Sequence, residues 1–243
     1  MCYTNSLYTK MKKLTEEYDL PEKAGVPFEP IVRSSGFDHP EWPILTAAQP
    51  DTFTLGQWGL VPGWVRNDAQ AIKIRTSTLN ARAETISEKP SFKNASIRKQ
   101  RCVVPSTGFF EWQTIGKKKY PYFIRLKDSE LLSMAGLYEE WVSEHSGRIM
   151  TFTIVTVPAN PLMEKIHNTK KRMPALLVGE GVKHWLDVSI TDQELARLLT
   201  PLDESYMEAV SIQPLPQISE NLDFDAITQP YEYPELTRQL GLF

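Results

Sequence analysis

Cys2 is the residue with the widest chemistry open to it. Its small side chain should permit removal of Met1, which leaves an α-amine and a thiol on one carbon. An α-amine titrates near ~7.7–8.0, so a useful fraction is a neutral nucleophile at cellular pH. An aldehyde would condense with that amine to an imine, and the thiolate would then close a five-membered thiazolidine. With both nucleophiles on one carbon, the second step is intramolecular. A cysteine after Met is also a common accident, so other residues must share the argument. Glu111 lies between Phe110 and Trp112, and an apolar neighbourhood tends to raise a carboxyl pKa towards general acid–base use. The competing reading is a glutamate on the solvent face of a strand. Asn80 offers an amide that can both donate and accept, or it caps a helix over 81–87. His167 ends a helical stretch, where a lone histidine often serves as a cap. Arg75, Arg82, Arg98 and Arg101, with Arg172 further on, are candidate phosphate contacts, because a guanidinium suits bidentate phosphate recognition. Trp58 and Trp64 offer flat faces for unstacked bases, with core packing as the alternative for each. Pro62 could help a loop wedge between bases, which favours a kinked or junction substrate.

The elements expected to position these groups are short. Residues 7–18 place Leu7, Met11 and Leu14 on one helical face. The proline-dense stretch 21–50 reads as an irregular wrap or lid. β-type runs recur at 57–61, 102–104, 109–112, 122–126, 132–137, 150–157, 175–178 and 206–212, several of them rich in Val, Ile, Phe, Tyr and Thr. Helices are expected at 83–87, 92–99, 161–167, 182–186 and 191–199. The last opens with Thr191-Asp-Gln-Glu194, a capping box. Strands and helices do not alternate regularly, which argues against a doubly wound sheet. The expectation is an α+β single domain over 1–212, built around an antiparallel barrel-like sheet with peripheral helices. Residues 213–243 read as an extended, proline-rich acidic tail.

Of the 243 residues, 41% are hydrophobic and 23% charged, the balance of an ordinary globular chain. No apolar run approaches the roughly 18 residues of a membrane helix. The first residues lack the basic and apolar regions of a secretory signal. Two cysteines, Cys2 and Cys102, are too few for a disulfide framework. A cytoplasmic, reducing compartment is therefore expected. The net charge of −3 hides an asymmetry: from Asp187 onward there are 11 acidic and 2 basic residues, which leaves residues 1–186 at +6. A basic body is compatible with an electropositive binding face, and equally with a merely solvated surface. His39, His145 and His184 show no metal-ligand spacing, and neither metal nor cofactor is expected. Cys102, in an apolar run, reads as an inert buried thiol.

Six segments change the weighting of Cys2. They are Trp58-Gly-Leu-Val-Pro-Gly-Trp64, Asn80-Ala-Arg-Ala-Glu-Thr85, Lys89-Pro-Ser-Phe92, Arg101-Cys-Val-Val-Pro105, Gly108-Phe-Phe-Glu-Trp112, and Ile166-His167 with Arg172-Met-Pro174. With Cys2, and in this order, they resemble the SRAP family, named as SOS-response-associated peptidases and understood as abasic-site processing proteins. The resemblance implies a thiazolidine between Cys2 and the ring-opened abasic sugar in single-stranded DNA, with some strand-cleaving (lyase) activity through the same imine. It implies Asn80 beside that linkage, Glu111 as the catalytic carboxylate, His167 as the group that protonates the sugar ring oxygen, and Arg82 as the foremost phosphate contact. Two departures stand out. Many members carry Gly-Arg after the cysteine, where this chain has Tyr3-Thr4. Members commonly read His-Asp-Arg-Met-Pro, where Asn-Thr-Lys-Lys here separates His167 from Arg172. Competing functions are an N-terminal-cysteine thiol peptidase and a DNA-binding module without chemistry. A monomer acting on single-stranded or junction DNA at the nucleoid is expected. The terminal Gln239-Leu240-Gly241-Leu242-Phe243 resembles the peptide by which bacterial repair proteins dock on the sliding clamp, or else it folds back as a core cap.

Overall fold

Long runs of β-branched and aromatic residues punctuated by glycine turns build a molecule dominated by strands. A computed structural model describes residues 2–216 and 222–236. The strands are β1 (Thr4–Leu7), β2 (Ile31–Ser35), β3 (Glu41–Thr46), β4 (Gln49–Trp58), β5 (Asn80–Arg82), β6 (Arg101–Ser106), β7 (Gly108–Ile115), β8 (Lys118–Leu126), β9 (Leu132–Ser143), β10 (Gly147–Pro158), β11 (Arg172–Pro174), β12 (Leu176–Leu177) and β13 (Met207–Ser211). The helices are α1 (Met11–Glu17), α2 (Asp68–Arg75), α3 (Pro90–Ile97), α4 (Pro161–Ile166), α5 (Gly181–Leu186), α6 (Asp192–Leu198) and α7 (Phe224–Thr228).

β10, β4, β3, β6 and β9 pair in that order, and β9 pairs back onto β10, so five strands close a barrel. All these pairings are antiparallel except β10 with β4, where Thr151 lies opposite Gln57 and Phe152 opposite Trp58. Closure removes the free sheet edges that an open arrangement would leave. The interior is filled by large side chains, among them Trp42, Phe53, Trp58 and Phe152. Gly136 of β9 is required by this closeness: a Cβ there would stand 2.8 Å from both Cys102 Sγ and Thr153 O. Gly147, at φ 71°, turns the β9–β10 hairpin in a conformation that glycine adopts without strain.

A second sheet, β13-β8-β7-β1-β2, is antiparallel throughout. The chain passes from barrel to sheet at Thr107, between β6 and β7. Alternation along β7 then sets Phe109 and Glu111 on one face and Phe110 and Trp112 on the other. Phe109 belongs to the main core, whereas Phe110 joins Phe123 and Ile212 in a small cluster on the opposite face.

The α+β class and the barrel agree with the sequence reading, and the expected capping box at Thr191 and Glu194 is present. Four local expectations are corrected. Residues 7–18 split into the end of β1 and the shorter α1. The stretch 21–50 is no lid: it supplies β2 and the barrel strand β3, where Pro43 lies among buried neighbours. The residues after Asn80 form one 3-10 turn, Ala83–Thr85, instead of a helix over 83–87. The tail is docked rather than extended where it is described. α7 stacks Phe224 on Tyr8 at 4.8 Å and sets it edge-on to Phe123 at 5.7 Å, and Ile212 bridges to Pro230. Residues 239–243 lie outside the described residues.

Candidate functional site

Cys2 is fully buried just ahead of β1. The Asn80 side chain donates from Nδ2 to the Cys2 carbonyl at 2.9 Å. β5 brings it there by pairing in parallel with β10, Asn80 opposite Ile154. Asn80 is thus a strand residue and caps no helix. Its Oδ1 is buried and accepts nothing among the described residues, so an acceptor stands next to the Cys2 backbone. Glu111 is buried on the barrel-facing side of β7. Loss of solvent pushes its carboxyl up to about 7, close to the operating pH of a general acid–base. Burial also drives the Cys2 thiol far above its ordinary value, and the neighbouring Glu111 charge adds to that. The thiol is therefore neutral at rest, and proximity to Glu111 gives its proton a place to go.

His167 caps the C-terminal end of α4, and its Nδ1 lies 2.8 Å from the Arg172 carbonyl. Nδ1 is then the donor and Nε2 carries the lone pair. Burial lowers the imidazole pKa, so His167 is neutral near pH 7. The four residues between His167 and Arg172 are tied down at both ends. Asn168 clamps onto Thr114 of β7, accepting from its N–H at 3.1 Å and donating to its carbonyl at 2.8 Å. Lys171 turns back at φ 49° and bonds to the His167 carbonyl. The histidine loop is thereby fixed to the strand that carries Glu111.

The expected DNA contacts separate sharply. Arg82 is exposed and shares with Asn80 one face of β5; its charge reaches Tyr3, lowering that phenol against a larger rise from burial. Trp64 is 49% exposed, with Nε1 bonded to the Pro90 carbonyl at 3.2 Å. Arg98 is exposed at the end of α3. Arg75 is half-buried, and its Nε and Nη2 have no acceptor among the described residues. Four others are corrected. Trp58 is sealed in the barrel, its Nε1 donating to the Leu79 carbonyl at 2.8 Å, and has no face for a base. Pro62 is buried and cannot wedge between bases. Arg101 is buried over Trp185 and donates to the Asp187 carbonyl. Arg172 forms a bidentate pair with Glu84, at 2.5 and 2.9 Å, and also donates to the Thr156 carbonyl. Its charge is spent tying β11 to the turn after β5.

Tyr3 is in ring contact with the exposed Phe37 at 5.0 Å, and Arg33 on β2 is half-buried; neither was among the sequence candidates. Among the described residues, Asp68, Glu144 and His145 bring ligand-type atoms within 4.8 Å of one another. Glu144 and His145 lie in the β9–β10 turn and Asp68 opens α2, and the histidine side chain is exposed. No helix of the described residues is long and apolar enough to cross a membrane.

Beside the five-stranded barrel, Cys2 is buried against an asparagine and near a carboxyl of raised pKa. The family model "SOS response associated peptidase (SRAP)" matches residues 1–215, and the chain belongs to that family. It is 36% identical over 221 residues to the abasic site processing protein YoqW of Bacillus subtilis strain 168, covering 88% of this chain and 93% of that one. It is 35% identical over 176 residues to the abasic site processing protein HMCES of Gallus gallus, covering 64% of this chain and 51% of that one. A solved structure from Bacteroides thetaiotaomicron is 42% identical with a TM-score of 0.79, covering 87% of this chain and 92% of that one.

Proposed function

We propose that this protein processes abasic sites in single-stranded DNA by capturing the ring-opened sugar on Cys2. The observation that carries the reading is the buried meeting of Cys2, Asn80 and Glu111, drawn from three distant segments. His167, held to the same β7 strand, completes the set.

The order of steps follows from the protonation states. A buried neutral thiol is a poor first nucleophile, so the α-amine exposed by removal of Met1 attacks the aldehyde. The carbinolamine loses water to give an imine. Glu111, with a pKa of about 7, donates the proton that lets water leave. As a carboxylate it then takes the thiol proton. Sulfur adds to the imine carbon, the C–S bond forms, and the imine nitrogen accepts a proton, giving the thiazolidine. His167, protonated in a minor fraction, is a strong acid towards the sugar ring oxygen and speeds opening to the aldehyde. Asn80 Oδ1 holds the amine or a sugar hydroxyl. The same imine allows β-elimination of the 3′ phosphate, the origin of lyase activity. Arg82 contacts the backbone and Trp64 stacks a base, so single strands and junctions are preferred over duplex.

The test is incubation of the processed protein with an abasic single-stranded oligonucleotide, followed by a denaturing gel and peptide mass spectrometry. A heat-stable adduct on Cys2 is expected. Cys2→Ala keeps the amine and should give only a borohydride-reducible imine. An adduct mapping to Cys102 or to a lysine overturns the reading.

A further inference from the structure

On the face of the five-stranded sheet turned away from the barrel lies a pocket of about 370 Å³. Its walls include Thr4 of β1, Arg33 and Ser35 of β2, Trp112 of β7 and Lys119 of β8, with Leu215 along one side. The registers explain the grouping. Thr4 lies opposite both Ser35 and Phe110, so these residues share a face, and period-two alternation adds Arg33 and Trp112.

Arg33 has no ion pair among the described residues, and its Nε and Nη1 are buried without an acceptor. Burial lowers its pKa from the ordinary value, yet a guanidinium stays protonated at any physiological pH. Arg101 and Arg172, more deeply buried, each reach a carbonyl or carboxylate. At Arg33 the fold instead holds a half-buried positive charge with no ion pair and no acceptor for Nε or Nη1 among the described residues, an arrangement that burial makes costly. Lys119 adds a second cation at the rim, itself without an ion pair among the described residues. Ser35 Oγ accepts from the Phe37 N–H at 3.2 Å, which leaves its hydroxyl proton to donate. No carboxylate of the described residues lines the pocket. Two cations, two hydroxyls and no acid make a receptor for an oxyanion.

Location selects the oxyanion. Thr4 follows Cys2 by two residues, about 7 Å along an extended chain. The pocket and Glu111 lie on opposite faces of the sheet, so the two sites meet only round the start of β1, where Cys2 lies. We propose that Arg33, Lys119, Thr4 and Ser35 form a phosphodiester site that grips the DNA backbone next to the trapped abasic residue. The proposal rests on the abasic-site reading of Cys2 given above. A guanidinium fork binds two phosphate oxygens, a small turn of the Arg33 side chain aims it, and Trp112 walls off the adjoining sugar.

The experiment measures binding of abasic single-stranded oligonucleotides to the full chain as salt is varied, for wild type, Arg33→Gln, Arg33→Lys and Lys119→Gln. Arg33→Gln should weaken binding about tenfold, the scale of one lost charged hydrogen-bond pair, and reduce the salt slope by about 1. Arg33→Lys should restore the slope and part of the affinity. A second series replaces single phosphates flanking the abasic residue by neutral methylphosphonates. One position should weaken wild type and leave Arg33→Gln indifferent. Wild-type affinity and slope in Arg33→Gln, or no methylphosphonate position that distinguishes the two proteins, overturns the site. Inorganic phosphate that protects wild type against heat and leaves Arg33→Gln untouched, with no such position, overturns the phosphodiester assignment. Adduct formation by wild type reports separately on Cys2, so failure of that chemistry and failure of this site are told apart.

Discussion

Glu111 couples chemistry to stability in a way that can be measured. Its carboxyl is held at about 7 by burial, against about 4.3 in an unfolded chain. The folded state therefore binds the proton more tightly. The stability this gives is complete below about pH 4 and is lost as pH rises through 7. Glu111→Gln removes that dependence. At pH 8 the variant should be more stable than wild type by about 3–4 kcal/mol, with the gap closing towards pH 4. Thermal unfolding across that range checks it, and a constant offset would show that Glu111 keeps an ordinary pKa. The same substitution should slow adduct formation about a hundredfold, the lower end of what general acid–base catalysis supplies. From its flanking aromatics the sequence predicts a buried Glu111; the carboxyl is buried, but Phe110 and Trp112 turn to the opposite face of β7 and the barrel side covers it instead. The other site residues were visible as types without their surroundings. Nothing local says that Trp58 points into a barrel, that Pro62 is covered, or that the charges of Arg101 and Arg172 are already met.

The elements around the site are held by a bridge rather than by their own pairing alone. β5 and β11 are three residues each, too short to persist without support. Arg172 and Glu84 join the turn after β5 to β11, and Arg172 also donates to the Thr156 carbonyl on β10 between them. The partners differ: the Arg172 side chain is 10% exposed and that of Glu84 is 47%. Glu84→Ala leaves the buried guanidinium with the Thr156 carbonyl as its chief acceptor. It should destabilise by about 1–2 kcal/mol. It should also slow adduct formation, since Arg172 supplies the carbonyl that orients His167. Thermal melts and single-turnover rates test this, and wild-type values in both would show the bridge to be ornamental. Element types were legible wherever a pattern was local. The capping box at Thr191 and the strongly apolar strands β6, β7, β9 and β10 came through. The barrel strand β3 did not, because prolines around Pro43 outweighed its apolar residues. α2 was missed because Ala71 is its one buried residue, so its sequence lacks an apolar stripe.

At the scale of the whole molecule, charge and cover are divided between the two ends of the chain. Residues 1–186 carry +6 and the remainder −9, so the acidic part must stay clear of the backbone-binding face if the strand is to bind. The described tail packs along the β7–β8 side of the second sheet and meets residues of both its faces. Phe224 and Ile227 pack on Phe110, Phe123 and Ile212, Tyr233 sets its ring on Tyr120 at 4.9 Å, and Lys118 pairs with Glu235 at 2.6 Å. Residues 222–236 therefore cover the Phe110–Phe123 part of that sheet, none of them lines the pocket at Arg33, and a peptide that meets a partner would begin beyond them. We propose that Gln239, Leu240, Leu242 and Phe243 dock on a bacterial sliding clamp. Three apolar anchors would enter a hydrophobic pocket, and a glutamine would bond at its edge. The two roles predict opposite results for two truncations. Removing 222–243 exposes the Phe123 cluster and should cost about 3 kcal/mol, the burial of one or two large apolar side chains. Removing 239–243 alone should leave the melting temperature unchanged and abolish clamp binding in calorimetry. If the short truncation lowers the melting temperature by several degrees, the pentapeptide is a further part of the cover. If it melts unchanged and binds the clamp as well as the full chain, docking through the pentapeptide is excluded, and the clamp contact lies elsewhere on the chain.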